Sequence, residues 1–338
     1  MATIKQIASQ LNISISTVSR ALNGKKGVSE ALREKISALS KELGYYPDSN
    51  ATALVNRKIG VIGVVIPRES GFVFTNPYFP RILLGINETV NKEGYNILLS
   101  IGQEIDYMSL YFRKLVDGLL IVGHRVDDQR IFELEKNLIP SVLIPGFPAG
   151  KGPDIISVDG ENFQSVYRTV NYLCGLGHKK IAFILGALNS KYSIERLAAF
   201  RQVMENNKIA IDDRYLLESD FSTADGSRLM GKLLDMRVRP TAVLLISDAV
   251  ALGGIMEIKR RKIRIPQDIS VVAIGGSDVL DGIDPSITAI NMSPARVGEK
   301  AAEILIKNIE GELTKNRRVI IPSDLIIRES TDVYQKSG

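Results

Sequence analysis

Cysteine and histidine are scarce: Cys174, His124 and His178 are the only three in 338 residues. A lone cysteine closes no internal disulfide, which fits a reducing compartment. Three such side chains leave little material for a structural zinc site, though they say nothing about carboxylate sites. Long apolar runs are missing, none approaching the roughly 18–20 residues that cross a bilayer. The first residues, MATIKQIASQLNIS, hold no apolar stretch followed by a small-residue cleavage site, so no secretory signal is expected and the chain is placed in the cytoplasm. Phosphate and nucleophile motifs are absent as well. Neither 102–106 nor Gly253-Gly254 completes G-x-G-x-x-G after a strand, and no G-x-x-x-x-G-K-[ST] loop or G-x-S-x-G elbow occurs. The expectation is a chain that is not an enzyme, with no catalytic residue, no cofactor and no metal ligand.

What is present is ordinary globular material, 45% hydrophobic and 24% charged. At roughly 100–200 residues per domain the length suggests two or three domains. The net charge is +5, and its location is informative. Residues 1–58 hold nine lysines and arginines against four carboxylates, while the remainder carries 34 of each sign. The whole excess sits on the first sixth of the chain, which makes that segment the candidate polyanion-binding surface, against the plainer reading of a basic solvated tail.

The same segment carries helical periodicity. Ile4, Ile7, Ala8 and Leu11 share one face, with Thr3 placed as N-cap. A break at Leu11-Asn12-Ile13 follows, then Ser14 can cap a second helix from Ile15 to about Leu22 with Val18, Ala21 and Leu22 inward. Ser29 can cap a third, lined by Leu32, Ile36, Leu39 and Leu43 and closed by Gly44. Three short helices, the first two joined by a tight turn, describe a helix-turn-helix unit or an ordinary three-helix bundle. The second helix turns Ile15, Ser16, Ser19 and Arg20 outward. Arginine can bridge guanine O6 and N7, isoleucine can touch a thymine methyl, and Ser14 and Thr17 can hold phosphates.

The strings I-S-I-S-T-V-S-R-A-L-N at 13–23, Ile4-Lys5-Gln6-Ile7-Ala8, Val28-Ser29 and Leu43-Gly44-Tyr45-Tyr46-Pro47 resemble the head of the lactose/galactose repressor (LacI/GalR) family of transcriptional regulators. The resemblance implies that Ile15 and Ser16 read bases and Arg20 a guanine. It implies phosphate contacts from Thr3, Ser14, Thr17 and Asn23, with Tyr45 near the DNA backbone. It places a head at 1–46, a hinge at 47–58 and a two-lobed unit at 59–338. In the hinge, Ala51, Ala53, Leu54 and Val55 could form a helix of about eight residues, too short to be stable without a partner. The family pairs two such helices in the minor groove, and Leu54 matches its wedging leucine. A flexible linker with Leu54 packed on the next domain is the alternative. Asp48 departs from the asparagine common there.

From residue 59 the pattern changes to short Val/Ile/Leu runs at 59–66, 95–101, 118–122, 141–144, 155–158, 180–185, 215–218, 242–246 and 269–274, followed by 287–291 and 319–327. Helices such as 78–93, 161–176, 193–206, 248–261 and 294–309 separate them. This predicts α/β architecture with two parallel sheets covered on both faces. Ile62-Gly63-Val64-Val65-Ile66-Pro67, Asn76-Pro77-Tyr78-Phe79, Val116-Asp117-Gly118, Leu176-Gly177-His178-Lys179-Lys180, Glu195-Arg196-Leu197 and Pro266-Gln267-Asp268-Ile269 resemble the family's periplasmic-binding-protein-like effector domain. That implies an N-lobe at about 59–156 and 292–318, a C-lobe at about 157–291 and 319–330, and a ligand cleft between them at the strands' carboxyl ends.

Candidate effector residues are Asn76 and Phe79 after the first strand, Arg196 at the start of a helix, Phe221 after the strand at 215–218, and Asp248 after 242–246. Arg196 matches the family's ligand-bonding arginine, with an ion pair to Glu195 as the alternative. Phe221 reads as a stacking ring or as core, and Asp248 as a cleft carboxylate or a helix cap. Departures include Gly275-Gly276, standing where the family has a ligand-contacting aspartate, which leaves Ser277 or Asp278 as substitutes. Met292 stands where a polar residue is frequent, and 104–116 is short. Cys174 reads as core, Gly177-His178 as a structural turn, and 259–262 as a solvated basic helix end. The function this implies is a sequence-specific DNA-binding regulator, acting as a repressor and as a homodimer or tetramer. It would bind double-stranded operator DNA under control of a sugar-like effector. The alternatives are a regulator under a protein corepressor and a solute-binding protein with no DNA role.

Overall fold

The computed structural model describes residues 2–22, 24–45, 58–148, 150, 152–275, 280, 282–312 and 316–335. The chain forms two compact units, Met1–Gly60 and Val61–Gly338.

The first unit holds helices α1 (Ile4–Gln10), α2 (Ile15–Leu22) and α3 (Glu30–Glu42). Asn12 turns the chain between α1 and α2 with φ at +50°, a conformation asparagine tolerates. Ile7, Ala8, Val18, Ala21 and Ile36 are buried together, the inner faces that the spacing predicts. Gly44 follows α3 at φ +62° and lets Tyr45 donate to the Ser40 carbonyl at 2.8 Å, closing the helix end.

The second unit holds two six-stranded sheets. Lobe 1 contains β1 (Val61–Ile66), β2 (Asn96–Ile101), β3 (Gly118–Val122), β4 (Ser141–Ile144), β5 (Ile156–Gly160) and β11 (Arg318–Ile321), in the order β11-β5-β4-β3-β1-β2, all parallel. Lobe 2 contains β6 (Ile181–Gly186), β7 (Leu216–Ser219), β8 (Ala242–Leu245), β9 (Ser270–Gly275), β10 (Thr288–Asn291) and β12 (Asp324–Ile326), in the order β12-β10-β9-β8-β6-β7. These are parallel except β12, which is antiparallel to β10. Strands such as β3 and β6 are buried at every position, as expected when both faces are covered.

The helices of this unit are α4 (Ser70–Thr75), α5 (Tyr78–Lys92), α6 (Tyr107–Phe112), α7 (Arg130–Lys136), α8 (Asn162–Gly175), α9 (Lys191–Asn206), α10 (Thr223–Leu234), α11 (Asp248–Arg260) and α12 (Pro294–Ile309). Two expectations need correcting. The single strand at 319–327 is two strands in different sheets, because Pro322 has no N–H to continue a ladder. The lobe limits shift accordingly: β5 and β11 pair with each other in lobe 1, so the crossings fall after Gly160, Asn291 and Ile321. No helix among the described residues is long and apolar enough to cross a membrane.

Candidate functional site

In the head, α2 divides its residues between core and solvent. Val18 and Ala21 are buried, while Ser14, Ser16 and Arg20 are exposed and Ile15 keeps 44% of its surface. Thr17 and Ser19 are half-buried. The Ser14 hydroxyl accepts from the Thr17 amide at 3.1 Å and lies 2.7 Å from the Ser16 hydroxyl and 2.8 Å from that of Thr17. Three hydroxyls thus crowd a helix N-terminus, where unsatisfied N–H groups and the helix dipole favour anions. Thr3 is exposed and caps α1 in a reciprocal pair with Gln6, its amide donating to Gln6 Oε1 at 2.8 Å. Tyr45 is half-buried and packs on the apolar core of the head. Asn23, Ala51 and Leu54 lie outside the described residues.

Sequence reading overlooked Arg33. One Nη donates to the Ala21 carbonyl at 2.6 Å and the other to the Lys25 carbonyl at 3.0 Å. It thereby satisfies carbonyls at the end of α2 and ties down the loop bearing Lys25 and Lys26.

In the second unit a cavity of about 400 Å³ lies between the lobes, and Asn76, Phe79, Arg196, Phe221 and Asp248 all line it. Arg196, in the second turn of α9, is 7% exposed and donates through Nε to Asn162 Oδ1 at 2.8 Å. Its guanidinium stands over the Tyr192 ring, and loss of hydration lowers its pKa to about 10. Glu195 instead lies 3.2 Å from Arg318 and 3.8 Å from Lys191, so it is not the partner of Arg196.

Phe221 has φ +70°, an uncommon conformation for a bulky residue, and its ring lies over Gly186, where a Cβ would overlap it. It meets Phe72 edge-on at 5.5 Å, and Phe72 meets Phe79 the same way. Such pairs contribute about 0.5–1.5 kcal/mol beyond area burial. Phe72 belongs to lobe 1 and Phe221 to lobe 2, so the aromatic contact bridges the cleft. Two further bridges accompany it. The Tyr78 and Tyr192 hydroxyls lie 3.2 Å apart, and burial raises both phenol pKa values well above the usual range. Lys191 of α9 pairs with Asp159 of β5 at 2.8 Å, with side chains 1% and 0% exposed.

Ser247, not Asp248, caps α11, accepting from the Val250 amide at 3.3 Å. Asp248 is the first helical residue, buried at the cavity wall. A Cβ on Gly275 would overlap the Asp248 carboxylate, which explains the glycine at that position. Ser277 and Asp278 lie outside the described residues. Met292 lines the cavity beside Pro294.

Arg68, Phe72, Tyr78 and Tyr192 also line the cavity and were overlooked. Arg68 directly follows the first apolar run and its proline, a strand-end position that could have flagged it. The others are recognised only once the two lobes are brought together. His178 is structural, bonded to the Thr241 hydroxyl at 2.9 Å and the Asp332 carbonyl at 3.1 Å. The basic helix end is locally neutralised, Arg260 and Arg261 both bonding Glu257.

Two family models match the chain: bacterial regulatory proteins of the lacI family over residues 3–48, and a periplasmic binding protein-like domain over residues 170–331. The HTH-type transcriptional repressor CytR of Escherichia coli (strain K12) is 30% identical over 335 residues, 98% of this chain and 96% of that protein. The HTH-type transcriptional regulator CelR of Thermobifida fusca is 29% identical over 333 residues, 97% and 98% of the two chains. Among solved structures, the lac repressor dimer bound to operator and the anti-inducer ONPF superposes with a TM-score of 0.85 at 25% identity, covering 98% of this chain and 99% of that one. The CelR–cellobiose complex gives 0.74 at 27% identity, covering 98% and 100%.

Proposed function

The chain belongs to the lacI family of bacterial regulatory proteins and is a DNA-binding regulator whose activity responds to a small molecule; from that premise we propose that it is a repressor, acting as a homodimer on a pseudo-palindromic operator. In this reading Ile15, Ser16, Ser19 and Arg20 face base edges, and Thr3, Ser14 and Thr17 meet phosphates, with Tyr45 alongside. Asn23, Ala51 and Leu54 complete the contacts. The observation that carries it is the outward face of α2, which exposes one guanidinium, one apolar side chain and hydroxyls on a helix anchored by a buried face. Direct readout needs donors, acceptors and a methyl contact in that small area.

The ligand is proposed to be a sugar or sugar derivative enclosed by Asn76, Phe79, Arg196, Phe221 and Asp248. Aromatic rings suit an apolar sugar face, and Arg196 and Asp248 suit hydroxyls. Cobound cellobiose in the similar CelR structure supports the class. Only a ligand that prefers one lobe arrangement can change DNA affinity, and the cleft, bridged from both lobes, is suited to make that distinction. The test is a gel shift on promoter fragments with rising salt. A specific complex should form and weaken steeply as salt increases, because phosphate neutralisation releases counterions. Equal affinity for every fragment would sink the reading.

A further inference from the structure

Several arginines of the effector unit are paired with a carboxylate. Arg214 lies 2.6 Å from Asp212, Arg130 2.7 Å from Asp128, and Arg264 2.8 Å from Asp268. Two guanidiniums on the cavity are held by neutral acceptors instead. Arg68 donates through Nε to the Gly123 carbonyl at 2.6 Å and through Nη to the His124 carbonyl at 3.3 Å. Arg196 bonds the neutral side chain of Asn162. Among the described residues neither has a carboxylate oxygen within 4.0 Å.

Neutral acceptors satisfy N–H groups without cancelling charge, and a poorly hydrated cation is costly when unpaired. Burial lowers the pKa of Arg68 first and the nearby Arg125 second, while Asp127 and Asp128, farther than ion-pairing range, act the other way. Arg125 itself is tied to Asp127 at 3.0 Å. The negative groups on the cavity are placed differently. Glu69 and Asp220 are exposed, and Glu69 accepts from Gln103 at 2.9 Å. Asp248 is the buried one. The cavity is lined by four arginines and three carboxylates, and Arg68 and Arg196 come from opposite lobes.

Building on the effector reading above, we infer that the ligand is an anionic sugar derivative, a sugar acid or a sugar phosphate, whose charged group is shared by Arg68 and Arg196. The guanidinium fork matches carboxylate and phosphate oxygens in pairs of hydrogen bonds. Its hydroxyls face Asp248 and Asn76, and its apolar face meets Phe72 and Phe221. A neutral sugar leaves Arg68 in direct contact with carbonyl oxygens alone. The anion therefore stabilises the closed lobes by joining a lobe 1 cation to a lobe 2 cation.

The test is calorimetric titration of the full chain with matched sets: a hexose, its uronate and its phosphate, and ribose with ribose phosphate. One charged member should bind roughly tenfold or more tightly than its neutral parent, with affinity falling as salt is raised. Which charged member binds separates a sugar acid from a sugar phosphate. Arg68→Gln should remove most of that preference and most of the salt dependence. Should Arg68→Gln fold poorly, the preference and salt dependence of the unaltered chain decide the matter. Neutral parents binding as well as charged ones overturns this inference and leaves the sugar reading standing. No member of any set binding overturns both. A charged preference that survives Arg68→Gln overturns the shared-anion geometry.

Discussion

In the head, Arg20, Lys25 and Lys26 stand in solvent with no carboxylate in ion-pairing range among the described residues, whereas the effector unit neutralises Arg214, Arg228, Arg260 and Arg264 with carboxylates at 2.8 Å or less. Both units are rich in cations, but these four in the effector unit are neutralised and those three in the head, among the described residues, are not. A paired surface cation contributes to solubility and a little stability, while an unpaired one is a standing attraction for an external anion. Within the effector unit the same distinction separates Arg68 and Arg196 from the paired arginines. In the proposed reading, availability of charge, more than its amount, marks where each unit would meet its ligand.

Three substitutions test that comparison. Lys191→Met removes one side of a buried pair and leaves Asp159 with Arg318, at 3.0 Å, and the Gly146 amide, at 3.1 Å. A loss of about 3 kcal/mol in urea unfolding of the effector unit is expected, with base preference unchanged. A loss near zero would show that Arg318 alone suffices. Arg20→Ala should do the opposite, costing about 1–3 kcal/mol of binding at the specific site with no change in melting temperature. Anisotropy titrations on the operator and on random DNA check it, and equal losses on both would remove the base-reading role. Arg264→Ala breaks an exposed pair with Asp268 and should cost no more than about 0.5 kcal/mol, with both binding functions intact. A large effect there would blur the line between paired and available charge.

Much of this was legible in the sequence because it depends on short range. Thr3 capping, the buried face of Val18 and Ala21, and the runs that became β3 and β6 all follow from local spacing. Phe221 was singled out because it follows a strand end and Arg196 because it matches the family's ligand-bonding arginine, and both line the cavity. Asn162 as the partner of Arg196, Phe72 against Phe221, and Lys191 against Asp159 were not, because each joins segments whose meeting depends on long-range topology. Arg33 is a similar case, bonding carbonyls eight and twelve residues away. The break at Pro322 was visible in the sequence, but the apolar residues on either side obscured it.

The triple passage between lobes also bears on how the chain is made. The parallel core of lobe 2, β6 to β10 with α8 to α11, is one uninterrupted stretch from 162 to 291. Lobe 1 is not: β5 waits for β11, and α5 waits for α12, whose Ala295 lies so close to Gly85 that no Cβ would fit between them. During translation, therefore, the parallel core of lobe 2 can assemble before lobe 1, which stays open along β5 until residues 318–321 have been made, and β12 joins lobe 2 after that. The lobe coded directly after the DNA-binding head thus closes only once the core of the second lobe is in place.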